Sequence, residues 1–226
     1  MTTQQMVLAE VRRQILTGSL RPGAPIRPDV TAAQLKVSRV PVREALKILE
    51  GEGQIVYRPH HGYFVAELRV KDLVEIYRIR KLLEGEAVRI AIPKLTDEDL
   101  ARMSEAMTEM ESYGDDEIMP MTAANRRFHF TLLDASEAPH LLHHIRLLWN
   151  STDPFRSLYY MSDEHRALVH EEHRKIFRAV SSGEVARAIT YLDDHRHNAI
   201  TALADVLDEA NETDEGDVLP REGTQG

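Results

Sequence analysis

The chain has 226 residues, 42% apolar and 29% charged, with a formal net charge of −9; that length allows two modest domains, each with a packed core. It has no cysteine, which excludes a disulfide framework and any thiolate metal site. No apolar run approaches the ~20 residues of a membrane span, and the N-terminus lacks a signal peptide's apolar stretch, so a soluble, cytoplasmic protein without membrane contact is expected.

Helical patterning at Met6, Val7, Val11 and Ile15 ends at Gly18, a helix-terminating glycine. Arg21-Pro22-Gly23 reads as a turn. A short helix is expected from about Asp29 to Leu35. The run Val37-Ser38-Arg39-Val40-Pro41-Val42-Arg43-Glu44-Ala45-Leu46 then begins a second helix. Ser38 suits the N-cap, where its hydroxyl can accept from a first-turn amide. Pro41 falls in that first turn, where a missing N–H costs little. Arg39 and Arg43 are four apart and share a face, while Ala45, Leu46 and Leu49 can turn to a core. Beyond Gly51 and Gly53, the runs Ile55–Tyr57 and Tyr63–Val65 read as strands joined by Pro59-His60-His61-Gly62. A capped helix with arginines near its N-terminus, followed by a hairpin, is the pattern of a winged helix-turn-helix.

The motifs "ILTGSLRPG", "VSRVPVREALKILEGEG" and "HHGYFV" cover about Ile15 to Val65 and resemble the GntR family of bacterial transcription regulators. Val40 stands where that family usually has threonine, and Gln54 where it usually has leucine. The resemblance implies DNA contacts from Arg39, Val40, Pro41 and Arg43, with His61 and Gly62 at the wing tip near the minor groove. The charge distribution agrees. Residues 1–66 hold nine Lys/Arg against five Asp/Glu, or +4, while the remainder holds nineteen against thirty-two, or −13.

Residues 1–67 are thus read as the DNA-binding domain and 68–209 as an all-α domain. Six helices are expected in the latter: roughly Val70–Ile92, Thr96–Ser112, Asp116–Asp134, Pro139–Ser151 with an irregular extension past Pro154, Ser162–Val180, and Glu184–Asp208. Residues 210–226 read as an acidic, disordered tail. The fold class is mainly α: a winged helix followed by an antiparallel helical bundle.

Eleven histidines are present, and three fall on inward stripes. His129 lies with Asn125, Phe128 and Leu132; His173 with Val169, Ile176 and Val180; His195 with Ala188, Leu192 and Ala199. A buried imidazole needs a polar partner or a metal, and the residues alone leave both readings open. His140, His143 and His144 form a second cluster, read as solvated. His165, His170 and His197 lie mostly off the apolar stripes. Arg80 interrupts the inward stripe of Leu73, Ile76, Tyr77 and Leu83, so it requires a partner: Glu84 one turn on, an anionic ligand, or both if Glu84 orients it.

"NRRFH", "EH" and the histidine after "GEVARAITYLDDH" are similar to the FCD effector domain of the FadR-type GntR subfamily, in its smaller, VanR-like six-helix form. The resemblance implies a divalent cation, zinc or nickel, held by Asn125, His129, His173 and His195. It also implies a small organic or sugar acid effector contacted by Arg80, which His197, near the site, could hydrogen-bond, and a homodimer on a short palindromic double-stranded DNA operator. The function expected is a ligand-responsive regulator, by default a repressor released by its effector. Two alternatives are a metal-dependent, hydrolase-like enzyme and a structural metal-binding bundle with vestigial DNA binding.

Overall fold

The computed structural model describes residues 1–67, 69–114, 117–160 and 162–215, and of residues 154–159 and 205–215 the backbone alone. The first helix, α1 (Thr3–Leu16), starts in a capping box. The Gln5 amide donates to the Thr2 hydroxyl at 3.2 Å, and the Thr2 amide donates to the Gln5 side chain at 2.8 Å. It buries Val7, Val11 and Ile15, the stripe expected from the sequence. Helix α3 (Arg39–Gly51) packs against it and α2 (Pro28–Leu35) packs on α3, which contributes Val42, Ala45, Leu46 and Leu49 to the same core. The chain between α2 and α3 turns at Lys36, which adopts a left-handed conformation.

Ser38 stands at the N-cap of α3 in extended conformation, but its hydroxyl makes no capping bond. A cap oxygen accepts from the second or third helical amide. Here the third position is Pro41, which has no N–H, so only the Val40 amide could donate to the Ser38 hydroxyl.

Strands β1 (Pro25–Ile26), β2 (Ile55–Arg58) and β3 (Gly62–Val65) form an antiparallel sheet in the order β1-β3-β2. Ile55 lies opposite Val65, and Arg58 opposite Gly62. The hairpin closes with His60 and Gly62 at positive φ. The two-residue strand β1 was not expected, because a Pro-Ile pair carries no alternation to read.

Six α-helices follow among the described residues: α4 (Val70–Ala91), α5 (Asp97–Ser112), α6 (Ile118–Asp134), α7 (Pro139–Tyr159), α8 (Asp163–Ser181) and α9 (Val185–Glu215). Their apolar stripes form a second core around Leu73, Tyr77, Met103, Phe128, Trp149, Ile176 and Leu203. Two boundaries differ from expectation. Helix α7 continues through Pro154, where the loss of one backbone hydrogen bond does not break it. Helix α9 continues to Glu215, so part of the expected tail is helical; "LDEANETDE" is rich in residues that tolerate helix. Residues 216–226 lie outside the described residues.

The two cores meet where α1 packs on α7. Arg12, Leu16 and Gln54 face Arg126, Asn150 and Asp153 across a hollow of about 300 Å³. Gln54 is buried there, with its amide 3.5 Å from Glu52. Its polar side chain therefore forms a wall of this seam.

Candidate functional site

Helix α3 presents its N-terminal face outward. Arg39, Val40 and Arg43 are exposed, with Val40 64% accessible. Arg39 Nε pairs with Asp29 of α2 at 2.7 Å. Pro41 is half-buried beside the N-terminus of α1, where it borders a hollow with Ser38, Lys36 and Thr2. At the hairpin tip His60 and His61 are exposed, and the His61 amide donates to the Arg58 carbonyl at 3.0 Å. The outward arginines and the protruding hairpin lie on the two elements that a winged helix inserts into DNA grooves.

Within the bundle, three helices bring the predicted histidines together. His129 comes from α6, His173 from α8 and His195 from α9, and all are buried. One ring nitrogen from each lies within 4.8 Å of the others, and His129 Nε2 is 3.1 Å from His173 Nε2. The His129 and His195 rings stack at 5.3 Å. Among the described residues, this is the histidine and carboxylate group whose ligating atoms converge in this way.

Asn125, one turn before His129, is fully buried, and neither its amide nitrogen nor its carbonyl oxygen has a protein hydrogen-bond partner. Leaving such a group unsatisfied costs about 1–3 kcal/mol. Three neutral imidazoles and an amide oxygen form a donor set that suits a borderline divalent cation such as zinc or nickel. The orphaned amide and the convergent nitrogens therefore fit the metal that the family resemblance implies.

Sequence reasoning missed Glu172. It lies immediately before His173, and its Oε2 accepts from His195 Nδ1 at 2.6 Å. Its Oε1 accepts from the Asn198 amide at 2.5 Å. Burial pushes the Glu172 carboxyl up, but the hydrogen bond and charge of His195, the Asn198 amide and Lys175 outweigh it and leave it below the ordinary value. The alternation of buried positions on α8 could have exposed this signal, because Glu172 follows Val169 by three.

Arg80 is buried, and Glu84, one of its two candidate partners, pairs with it. Its Nε donates to Glu84 Oε1 at 2.7 Å and its Nη1 to the Thr152 hydroxyl at 3.3 Å. Its guanidinium lies over Trp149 at 4.1 Å and Tyr77 at 4.7 Å. Glu84 also accepts from Trp149 Nε1 at 2.8 Å and from Arg196 at 2.6 Å. Burial pushes the Glu84 carboxyl up, yet the charges of Arg80 and Arg196 and the hydrogen bonds of Arg80 and Trp149 hold it at about 2. Two buried guanidiniums thus share one fully buried carboxylate; Asp193, only partly buried, also meets Arg196. Tyr77 Oη and Arg196 Nε have no protein partner. Arg196 was overlooked because it follows His195 directly and breaks the stripe.

His197 does not join this group. It is exposed and lines an outer hollow of about 290 Å³ with Leu168, Lys175, Tyr191 and Asp194. His140, His143 and His144 are exposed, as expected.

Comparison with known proteins agrees with this architecture. Residues 3–65 match the gntR family of bacterial regulatory proteins, and residues 75–198 match the FCD domain. The chain is 34% identical over 202 residues to the probable D-xylose utilization operon transcriptional repressor of Paenarthrobacter nicotinovorans, covering 85% of this chain and 87% of that protein. It is 34% identical over 156 residues to the Nta operon transcriptional regulator of Aminobacter aminovorans, covering 69% of this chain and 73% of that one. The solved structure of E. coli McbR/YncC superposes with a TM-score of 0.79 at 26% identity, covering 92% of this chain and 99% of that one. The family and these relatives carry the names of transcription regulators, not enzymes. A winged helix with outward arginines, joined to an FCD bundle, makes this chain a member of the GntR family and a DNA-binding transcription regulator.

Proposed function

We propose that the protein is a homodimeric repressor whose operator affinity falls when a small carboxylate binds at a metal site in the C-terminal bundle. Residues 1–67 read the operator and residues 68–209 bind effector and partner. The observation that carries this reading is the buried Asn125 amide, without a protein partner, one turn from His129 in a cluster of three converging histidines. Asn125, His129, His173 and His195 would hold zinc or nickel. When bound, the ion supplies positive charge and a position for an anionic oxygen. Arg80 and Arg196 set two guanidiniums beside the fully buried Glu84, and Asp193 pairs with Arg196 from the edge of the core. Tyr77 Oη and Arg196 Nε add donors without protein partners. An organic or sugar acid satisfies both features, with its carboxylate between metal and Arg80.

Repression is the proposed sign because the Paenarthrobacter relative is named a repressor. The homodimer follows from symmetry: a palindromic operator is read by two winged helices related by a two-fold axis. Helix α4 carries exposed apolar side chains, Val74, Ile79 and Leu82, interleaved with charged ones, and Leu82, 69% exposed, is offered to that contact. Leu82→Glu is expected to give a monomer in sedimentation analysis.

The test is a mobility-shift assay with the chain's own upstream DNA, using metal-loaded protein against a panel of organic and sugar acids. A carboxylate should release the operator, and Arg80→Lys, which keeps the charge but loses the planar fork, should respond at least tenfold more weakly. Release by a cation or a neutral apolar molecule, or an Arg80→Lys protein with a normal response, overturns the effector assignment.

A further inference from the structure

We infer that Glu172 is the positioning residue of the metal site: it fixes the tautomer and ring plane of His195, so that Nε2 is the nitrogen offered to the ion. The inference rests on the metal reading above. A neutral imidazole carries one N–H and one lone pair, and the hydrogen bond at one nitrogen decides which is which. Both Glu172 oxygens are acceptors, and each has a donor. Oε2 lies 2.6 Å from His195 Nδ1, and Oε1 lies 2.5 Å from Asn198 Nδ2. The Nδ1 proton is therefore directed to Glu172 and the lone pair belongs to Nε2. The His195 ring centroid lies 4.9 Å from that of His173 and 5.3 Å from that of His129.

The carboxylate is itself held. Asn198, one turn beyond Asp194 on α9, clamps its second oxygen, and Lys175 lies one turn further along α8. Glu172 is 6% exposed, and His195 is 4% exposed. A carboxylate behind a ligating imidazole raises the basicity of the ligand and holds its plane, and removing such a partner typically costs 10–100-fold in metal affinity. Glu172 and His173 are neighbours on α8, so one helix supplies both a ligand and the group that orients a second ligand on α9. Glu172 also borders the outer hollow where His197 stands, which gives it one side toward the triad and one toward solvent.

Two measurements test this, one of them independent of metal. Nitrogen-15 NMR of the histidine rings in metal-free protein, at a pH well above the ordinary imidazole range, should show His195 as the Nδ1–H tautomer. In Glu172→Ala that signature should be lost, while His129 and His173 are unchanged. Zinc competition titrations with a chromophoric chelator should show affinity about 10–100-fold lower in Glu172→Ala and reduced less in Glu172→Gln, which keeps an acceptor oxygen. Thermal melts of the metal-free proteins separate this from a merely structural loss. An Nε2–H tautomer in the wild type, or Glu172 variants that bind zinc as tightly as wild type, overturns the assignment. Wild-type protein that takes up no zinc overturns the underlying metal reading instead, and the tautomer result in metal-free protein then still decides what Glu172 does to His195.

Discussion

Trp149 donates its indole N–H to the buried carboxylate of Glu84 at 2.8 Å. Its ring also lies 5.1 Å from that of His129. One aromatic side chain on α7 therefore touches both halves of the proposed site, the arginine cluster and the histidine triad. Glu84 is the hub of the first half, with Arg80 and Arg196 on either side.

Glu84→Ala leaves two buried guanidiniums without their shared counter-charge. Breaking a buried pair in this way costs roughly 3–5 kcal/mol, and chemical denaturation should show a loss of that order. The pH dependence has a definite sign. The folded carboxyl sits at about 2, below its ordinary 4.5. Its contribution is therefore present above pH 4.5 and is lost as pH falls toward 2. Acid unfolding of Glu84→Gln should be flatter through that window than unfolding of the wild type.

Arg43 is exposed on the outward face of α3. Arg43→Ala is expected to abolish specific operator binding without changing the melting temperature or the dimer, because a bidentate base contact contributes about 1–3 kcal/mol per half-site. Arg39 pairs with Asp29 in free protein, so Asp29→Ala should strengthen non-specific DNA binding by removing a competitor for that guanidinium. Fluorescence anisotropy across a salt series measures both, and affinity should fall steeply with salt. An Arg43→Ala protein that binds like wild type means another face reads the DNA.

The metal site predicts about one divalent ion per chain, removable by chelator. His129→Ala and His173→Ala should each lose it. Asn125→Asp should bind more tightly, since a carboxylate adds charge that the amide lacks. A native-state ligand present at 100 times its Kd stabilises by about 2.7 kcal/mol, so chelation should lower the melting temperature of wild type and leave His173→Ala unmoved. Elemental analysis of protein purified without a histidine tag checks the stoichiometry.

Much of this was legible because function here rides on local pattern. The helix periods placed His129, His173 and His195 inward, and convergence followed from antiparallel packing. The winged helix was legible for the same reason, as its signals lie within fifty residues. What escaped was non-local or off-period. Glu172 and Arg196 each neighbour a triad histidine in sequence, and the stripes drawn through His173 and His195 left them out, yet a wide buried face admits both. The choice between Glu84 and a ligand for Arg80 could not be read from spacing, because an i, i+4 pair is compatible with either. The Ser38 cap was expected and is not made; Pro41 visibly removes one of the two amides the hydroxyl could use.

Coupling between the two halves of the chain should pass through residues 150–153 of α7. Thr152 meets Arg80 at 3.3 Å on the effector side. A Cβ placed on Gly53, at the foot of the winged helix, would lie 3.6 Å from Ser151 Cβ. Asn150 and Asp153 both accept from Arg126, which follows the proposed ligand Asn125 on α6. A movement of α6 or Arg80 on effector binding therefore pulls on the segment that touches the DNA-binding half. Arg126→Ala removes the tie between α6 and α7 at the seam it lines with Arg12 and Gln54. It should leave metal content and ligand-free operator affinity near wild type while reducing the coupling between effector and operator, which is typically 1–3 kcal/mol and equal in both directions. The check is a paired measurement: effector affinity with and without operator by calorimetry, and operator affinity with and without effector by anisotropy. Both ratios should shrink together in Arg126→Ala. Ratios equal to those of wild type would place the coupling route elsewhere in the fold.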